Sequence, residues 1–218
     1  MIQAGSNGND VLIGGSGDDT INSAGGNDLI ILSAGGDNLV TAGSGDDTIV
    51  GGNGNSTLSG FNGNDLINAG DGDDVVFGGL DNDDIRGDSG NDTLFGNGGE
   101  DIVRGGLGDD FLKGNDGNDT LLGDEGKDTL EGSAGEDILT GGQESDQFFF
   151  HLANSDRITD IITDFETGVD TIRIGGSRNF TVEVINDGTN FVVRADNGID
   201  GAFDVLVSTN EVMASDII

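Results

Sequence analysis

Apolar residues return along this chain with a period of nine, each set in a frame of glycine and acidic residues. A fixed period of this kind is the mark of a repeat architecture. Cut in nines from Gly5, the chain reads GSNGNDVLI, GGSGDDTIN, SAGGNDLII and LSAGGDNLV. Thr41 is then one extra residue, and the frame resumes at Ala42 and runs unbroken to Phe149, for 16 nonapeptides in all. The eighth place is apolar in every copy: Leu12, Ile21, Ile30, Leu39, Ile49, Leu58, Ile67, Val76, Ile85, Leu94, Val103, Leu112, Leu121, Leu130, Leu139 and Phe148. The fourth is Gly except at Asp81 and Glu144, and the sixth is Asp except at Ser56.

Side chains alternate faces along a strand, so places seven to nine predict a three-residue strand with its middle side chain turned inward. Places one to six predict a turn in which Gly supplies positive φ. Two nonapeptides then make one 18-residue coil. Eight coils at the ordinary strand spacing of about 4.8 Å give a rod of roughly 38 Å. The expected fold is all-β, a right-handed parallel β-roll (β-solenoid) over 1–149. Residues 150–218 read as a C-terminal cap whose end is a β-meander: Phe180–Ile185, a turn at Asn186–Thr189, Phe191–Ala195, a turn at Asn197-Gly198, and Phe203–Val207. A cap would cover an otherwise open strand edge.

Stacking places every second repeat in line. Asp10, Asp28, Asp47, Asp65, Asp83, Asp101, Asp119 and Asp137 then form one column. Asp19, Asp37, Asp74, Asp92, Asp110, Asp128 and Asp146 form the other, interrupted by Ser56. Carboxylates this close repel unless cations lie between them. Carboxylates with turn carbonyls are the hard oxygen donors that Ca²⁺ prefers, whereas one His and no Cys make zinc and copper poor candidates. Seven gaps per column predict up to about 14 Ca²⁺ if each holds one ion. Metal binding is then expected to supply much of the folding free energy.

Composition sharpens this picture. The chain has 42 Gly, no Pro, and 42 acidic against 8 basic residues, for a net charge of −34. Such a chain suits neither nucleic-acid phosphates nor an anionic membrane surface. Composition alone would equally fit a disordered chain, but disorder predicts no filled apolar column. No apolar run reaches the roughly 20 residues of a membrane helix. The first residues lack a basic and an apolar signal region, so any export is expected to use a signal elsewhere.

The consensus G-G-x-G-x-D-x-(apolar)-x over residues 5–149 resembles the repeats-in-toxin (RTX), or hemolysin-type, calcium-binding family. Good copies include Gly14–Asn22, Gly105–Lys113 and, with Ser56 for Asp, Gly51–Ser59. The resemblance implies a parallel β-roll with Ca²⁺ between turns, held by the sixth-place Asp and by carbonyls of early glycines. In those copies the glycines are Gly14, Gly15, Gly17, Gly51, Gly52, Gly54, Gly105, Gly106 and Gly108. It also implies a secreted bacterial protein, exported by a type I secretion apparatus and folding on meeting extracellular calcium. Ser23-Ala24, Leu32-Ser33, Ser56, Asp81 and Glu144 depart from the pattern. Weak or empty sites are expected beside Ser56, with a less regular first quarter around Thr41. The stretch Asp156–Ile174 resembles the cap D-x-I-x-D-F-x-x-G-x-D-x-I that follows such repeats. There Asp164 and Asp170 suit either a last Ca²⁺ or loop capping. The end, Val212–Ile218, resembles the acidic-then-apolar terminus of type I export substrates.

Catalytic patterns are missing. There is no H-E-x-x-H and no G-x-S-x-G, and His151 at the roll–cap junction reads as structural. Acidic pairs such as Asp18-Asp19 recur with the repeat and so do not suggest a glycosidase pair. Any catalytic domain would lie outside these residues. The chain reads as a free-standing calcium-binding roll, as the non-catalytic module of a larger secreted enzyme (a protease, lipase or polysaccharide-modifying enzyme), or as a structural or adhesive surface protein. Val11, Ile13, Leu29, Ile31, Val50 and Leu66 on one outer face, and Phe77, Phe95 and Phe111 on the other, are candidate surfaces for an upstream domain or self-association. Threonines at the seventh place (Thr20, Thr57, Thr93, Thr129) hint at an ice-binding row, but Asn38, Val75, Phe111 and Gln147 interrupt it.

Overall fold

A computed structural model describes residues 1–32, 35–151, 159–175, 181–186, 191–196, 202–207 and 216–218. Among the described residues twenty-two strands form two sheets, one of ten strands and one of twelve, and the first nineteen alternate between them. Through the repeats each strand pairs in parallel with the strand two further along the chain, in a register that matches like places of the repeat. Ile85, for example, lies between Ile67 and Val103. No α-helix occurs among the described residues. The parallel β-roll expected from the nine-residue period is therefore the observed architecture.

The core is a file of eighth-place side chains from both sheets. Ile30, Ile49, Leu58, Ile67, Val76 and their successors through Phe148 are fully buried. Of places seven to nine only the eighth turns inward, and the first place beside it is small or apolar (Ala42, Ala69, Leu32), so the core is narrow and each coil depends on those above and below it.

Two local expectations are corrected. From Leu39–Ser44 onward, the strands through the sixteenth span six residues, because places one to three pair along with seven to nine. The second place bends the strand with positive φ in nearly all of them, even where it is Phe61, Asn97, Asp124 or Ser133. The extra residue of the fourth repeat also does not follow Val40 but lies earlier, in the turn after Leu32. Thr20, Ile21 and Asn22 pair with Leu39, Val40 and Thr41. The inward residue is thus Val40, 1% exposed, and Leu39 is half exposed at 50%. A one-residue slip in a strand sends every side chain to the other face. Ser33 lies outside the described residues.

Fourth-place Gly is needed twice over. Its φ is positive, as at Gly117 (φ 137°). A Cβ there would also sit 1.6 Å from the carbonyl oxygen of Gly99 one coil below. Asp81 and Glu144 hold the same left-handed conformation with a side chain. Below Asp81, the bond from Gly63 N–H to the Leu80 carbonyl is stretched to 3.3 Å, against 2.8 Å for the equivalent Gly72–Ser89 bond. Replacing Asp81 or Glu144 with Gly is expected to stabilise the folded chain by about 1 kcal/mol each, read as a rise in denaturant midpoint at fixed calcium.

Both sheets continue past the repeats. Ile161 and Ile162 pair with Ile138 and Leu139, and Thr171–Gly175 pairs with Gln147–His151. The meander is present as three antiparallel strands, Thr181–Asn186, Phe191–Asp196 and Ala202–Val207, the last pairing in parallel with Thr159–Ile162. At the other sheet, Ile218 N–H donates to the Ile172 carbonyl at 2.8 Å. Of the remaining expectations, Asp156–Ile158, most of the two meander turns, and Val212–Ser215 lie outside the described residues.

Candidate metal-binding turns

Where the first place is glycine, the sixth-place Asp side chain of the same repeat turns back into the room that glycine leaves. A Cβ on Gly105 would meet Asp110 Oδ2 at 2.3 Å, and one on Gly14 would meet Asp19 Oδ2 at 2.8 Å. The carboxylate's Oδ1 accepts the backbone N–H of the sixth-place residue one coil below. The bond from Asp83 N–H to Asp101 Oδ1 is 2.8 Å, as is that from Asp101 N–H to Asp119 Oδ1. In the first column this chain of bonds runs from Asp10 through Asp28, Asp47, Asp65, Asp83, Asp101, Asp119 and Asp137.

The second column differs from the expected one. It runs through Asp19, Asn38, Ser56, Asp74, Asp92, Asp110, Asp128 and Asp146. Asp37 is not a member. The displaced insertion puts it at the fifth place, where its N–H donates to Asp18 Oδ1 at 3.0 Å and its own Oδ1 accepts from Asn55 N–H. Asn38 takes the sixth place and Leu39 the seventh, so Asn38 is also not among the residues that break the outward threonine row.

The fifth place proves to be a second hydrogen-bonded row. Asn55 Oδ1 accepts from Asp73 N–H, Asp73 Oδ1 from Asn91 N–H, and Asn91 Oδ1 from Asp109 N–H. Its acceptors are all Asn or Asp, a bias visible in the sequence that the column reading passed over. The acidic pairs therefore divide the work. In Asp18-Asp19, Asp46-Asp47, Asp73-Asp74 and Asp109-Asp110 the first is exposed and ties coils together outside the turn, and the second is buried within it.

Burial leaves the inner carboxylates incompletely satisfied. Twelve of them, Asp28, Asp47, Asp65, Asp74, Asp83, Asp92, Asp101, Asp110, Asp119, Asp128, Asp137 and Asp146, have an Oδ2 that is buried with no hydrogen-bond partner. Desolvation pushes the acidity of the carboxylates from Asp47 to Asp146 in this set down. Asp83 rises to about 8, and Asp65, Asp110, Asp119 and Asp137 to about 7, with neighbouring carboxylates adding to the effect. An unpaired buried oxygen on an acid is costly unless a cation or a proton meets it. Among the described residues no three acidic or histidine side chains gather at one point. A cation here must draw on one or two carboxylates together with backbone carbonyls, the mixed oxygen set that suits Ca²⁺. Gly15, Gly17, Gly51, Gly52, Gly54, Gly106 and Gly108 line these turns, with positive φ at Gly17, Gly54, Gly106 and Gly108.

The cap continues both columns. Asp137 N–H donates to Asp160 Oδ1 at 3.1 Å and Asp146 N–H to Asp170 Oδ1 at 2.9 Å. Asp160 was not foreseen, although its place four residues before Asp164 in the cap motif could have shown it. Asp164 has the capping role. Its two oxygens accept the N–H groups of Gly141 and Gly142 at 2.9 and 2.8 Å, replacing the coil that would come next. On the outer faces, Val11, Ile13, Val50 and Leu66 are exposed. Phe77 stacks on Phe95 at 5.1 Å, and Phe95 meets Phe111 edge-on at 6.0 Å.

Stacked nonapeptide coils with a buried carboxylate in nearly every turn define a repeat-built β-solenoid with the donor set of a cation-binding ladder. The model of the RTX calcium-binding nonapeptide repeat matches in four copies, over residues 4–39, 41–76, 77–112 and 113–148, and the chain belongs to that family. RTX repeats bind calcium, form structural modules and are typical of secreted bacterial proteins. No curated protein sequence matches the chain. Among solved structures it is similar to the AlgE6R3 subunit of the Azotobacter vinelandii mannuronan C5-epimerase, at 23% identity over 72% of this chain and 80% of that one, with a TM-score of 0.23. It is also similar to the extracellular lipase LipA from Serratia marcescens, at 16% identity over 100% of this chain and 40% of that one, with a TM-score of 0.30. Among the described residues, no helix is long and apolar enough to cross a membrane.

Proposed function

We propose that this chain is a secreted calcium-binding roll that leaves the cell unfolded through a type I secretion apparatus and folds as extracellular Ca²⁺ fills its turns. The observation that carries this reading is the row of orphaned Oδ2 atoms on twelve buried aspartates. Bound Ca²⁺ supplies the positive charge and the oxygen coordination that these atoms lack. The holding residues are the first column from Asp10 to Asp137 with Asp160, and the second from Asp74 to Asp146 with Asp170, together with turn carbonyls from the glycine places. Such a ladder couples metal affinity to folding, since the unfolded chain holds no preformed turn. Affinity in the range of about 10⁻⁴–10⁻³ M, usual for extracellular modules, would leave the chain unloaded in the cytosol.

The test is circular dichroism across a calcium titration at neutral pH. A cooperative gain of β signal is expected as calcium rises, and a fully folded roll in excess chelator would overturn the reading.

A further inference from the structure

The second column contains a stretch built differently from the rest. Asn38 and Ser56 sit in successive coils, and both spend their side-chain donors on the fourth-place carbonyl of their own turn. Asn38 Nδ2 donates to Gly36 O at 2.8 Å and Ser56 Oγ to Gly54 O at 3.2 Å. The same Nδ2 also reaches Ser56 Oγ at 3.5 Å. The bonds that run up the column are kept. Asn38 Oδ1 accepts Asp19 N–H at 3.0 Å, and Ser56 Oγ accepts Asn38 N–H at 3.3 Å. Below them, Asp19 Oδ2 accepts Gly15 N–H at 2.6 Å, and the first orphaned oxygen of this column is that of Asp74.

A third feature points the same way. In the other repeats with a sixth-place Asp buried beside a first-place Gly, the carboxylate uses the space that the missing Cβ leaves. The Asn38 repeat has Leu32 at its first place, 4% exposed, with Cδ2 only 3.4 Å from where a Cβ on Gly14 would stand. The same point is 2.8 Å from Asp19 Oδ2. An isobutyl group thus lies beside the carboxylate that opens the gap between Asp19 and Asn38, and it brings no oxygen to a cation.

We propose that Leu32, Asn38 and Ser56 form a metal-free clamp in the calcium ladder. The two gaps bordered by Asn38, towards Asp19 and towards Ser56, take no cation, and side-chain donors hold those turns as ions hold the others. The inference rests on the calcium reading above. It places two ion-independent turns in the second column while the first column is acidic at the same height, with Asp28, Asp47 and Asp65.

The test is ion counting by native mass spectrometry at saturating calcium, with a denaturant midpoint measured alongside. Asn38→Ala is expected to keep the ion count of the parent and to lower the midpoint, because it removes the acceptor for Asp19 N–H and the donor to Gly36 O. The triple variant L32G/N38D/S56D is expected to bind one or two ions more than the parent. A lower count in Asn38→Ala would make Asn38 a ligand and overturn the clamp. So would an unchanged midpoint in that variant, or an unchanged count in a triple variant that gives the parent's dichroism spectrum. If the parent chain itself bound no calcium, the functional reading would fail instead, and the two failures are told apart by that one measurement.

Discussion

Lowering the pH of the chain in excess chelator from about 8 to about 4 is expected to restore the β structure that chelation removes at neutral pH. The folded coil, without metal, holds the inner carboxylates from Asp47 to Asp146 far above the roughly 3.9 of an aspartate in an unfolded chain. Asp83 rises to about 8, Asp74 and Asp146 to about 7, and Asp47, Asp92, Asp101 and Asp128 to about 6, each chiefly because burial disfavours the charged form. Between pH 4 and pH 8 the folded state therefore binds more protons than the unfolded one. Its stability must fall as pH rises through that window. The contribution is fully present below about 4 and gone above about 8, which reverses the usual pattern of acid denaturation. In the presence of calcium the dependence changes sign, since protons and Ca²⁺ compete for the same oxygens. The half-saturating calcium concentration is expected to rise as pH drops below about 7. Far-ultraviolet dichroism against pH, with chelator and with excess calcium, gives both curves. A chelated chain that stays unfolded down to pH 4 would show that repulsion and desolvation at these aspartates are not what hold the metal-free coil open.

The sequence made the period and the burial of one residue in nine plain, because a three-residue strand allows a single inward side chain and the eighth place is apolar in every regular repeat. It could not place the insertion. Gly35 and Gly36 both suit the fourth place and Leu39 and Val40 the eighth, and only the sixth place distinguishes the two frames, where Asp37 favours the wrong one. Only the pairing of Ile21 with Val40 decides the frame. That pairing removes Asp37 from the column and shows Asn38 and Ser56 as neighbours, a relation hidden while they stood in different frames. The second-place bend was hidden for another reason. Gly, Asn and Asp dominate that place and suit a positive φ, but Phe61 and Ser133 take it too, so the stacked coils impose the bend where local preference opposes it. The fifth-place row was legible as an Asn/Asp bias, but bulk acidity masked it. Asp160 was overlooked because the nine-residue count stops at Phe149, whereas the hydrogen-bonded column continues after a longer connection.

Removing one carboxylate from the middle of the ladder separates its two tasks. Asp119 accepts Asp101 N–H through Oδ1 and leaves Oδ2 orphaned. In Asp119→Asn the acceptor survives, and the new amide can donate to the fourth-place carbonyl of Gly117 as Asn38 does to that of Gly36. That variant is expected to fold at saturating calcium with fewer bound ions and a lower denaturant midpoint. Asp119→Ala loses the ions and also strands the buried N–H of Asp101, at a further cost of about 1–3 kcal/mol. Because each coil rests only on its neighbours, the damage is expected to be local. Amides between about Asp101 and Asp137 should lose hydrogen-exchange protection first, while those of the first coils keep theirs. Equal stability of the Asn and Ala variants would mean that the bond from Asp101 N–H carries no weight. Equal ion counts in the parent and both variants would remove Asp119 from the metal ligands and return the buried carboxylates to a purely structural role.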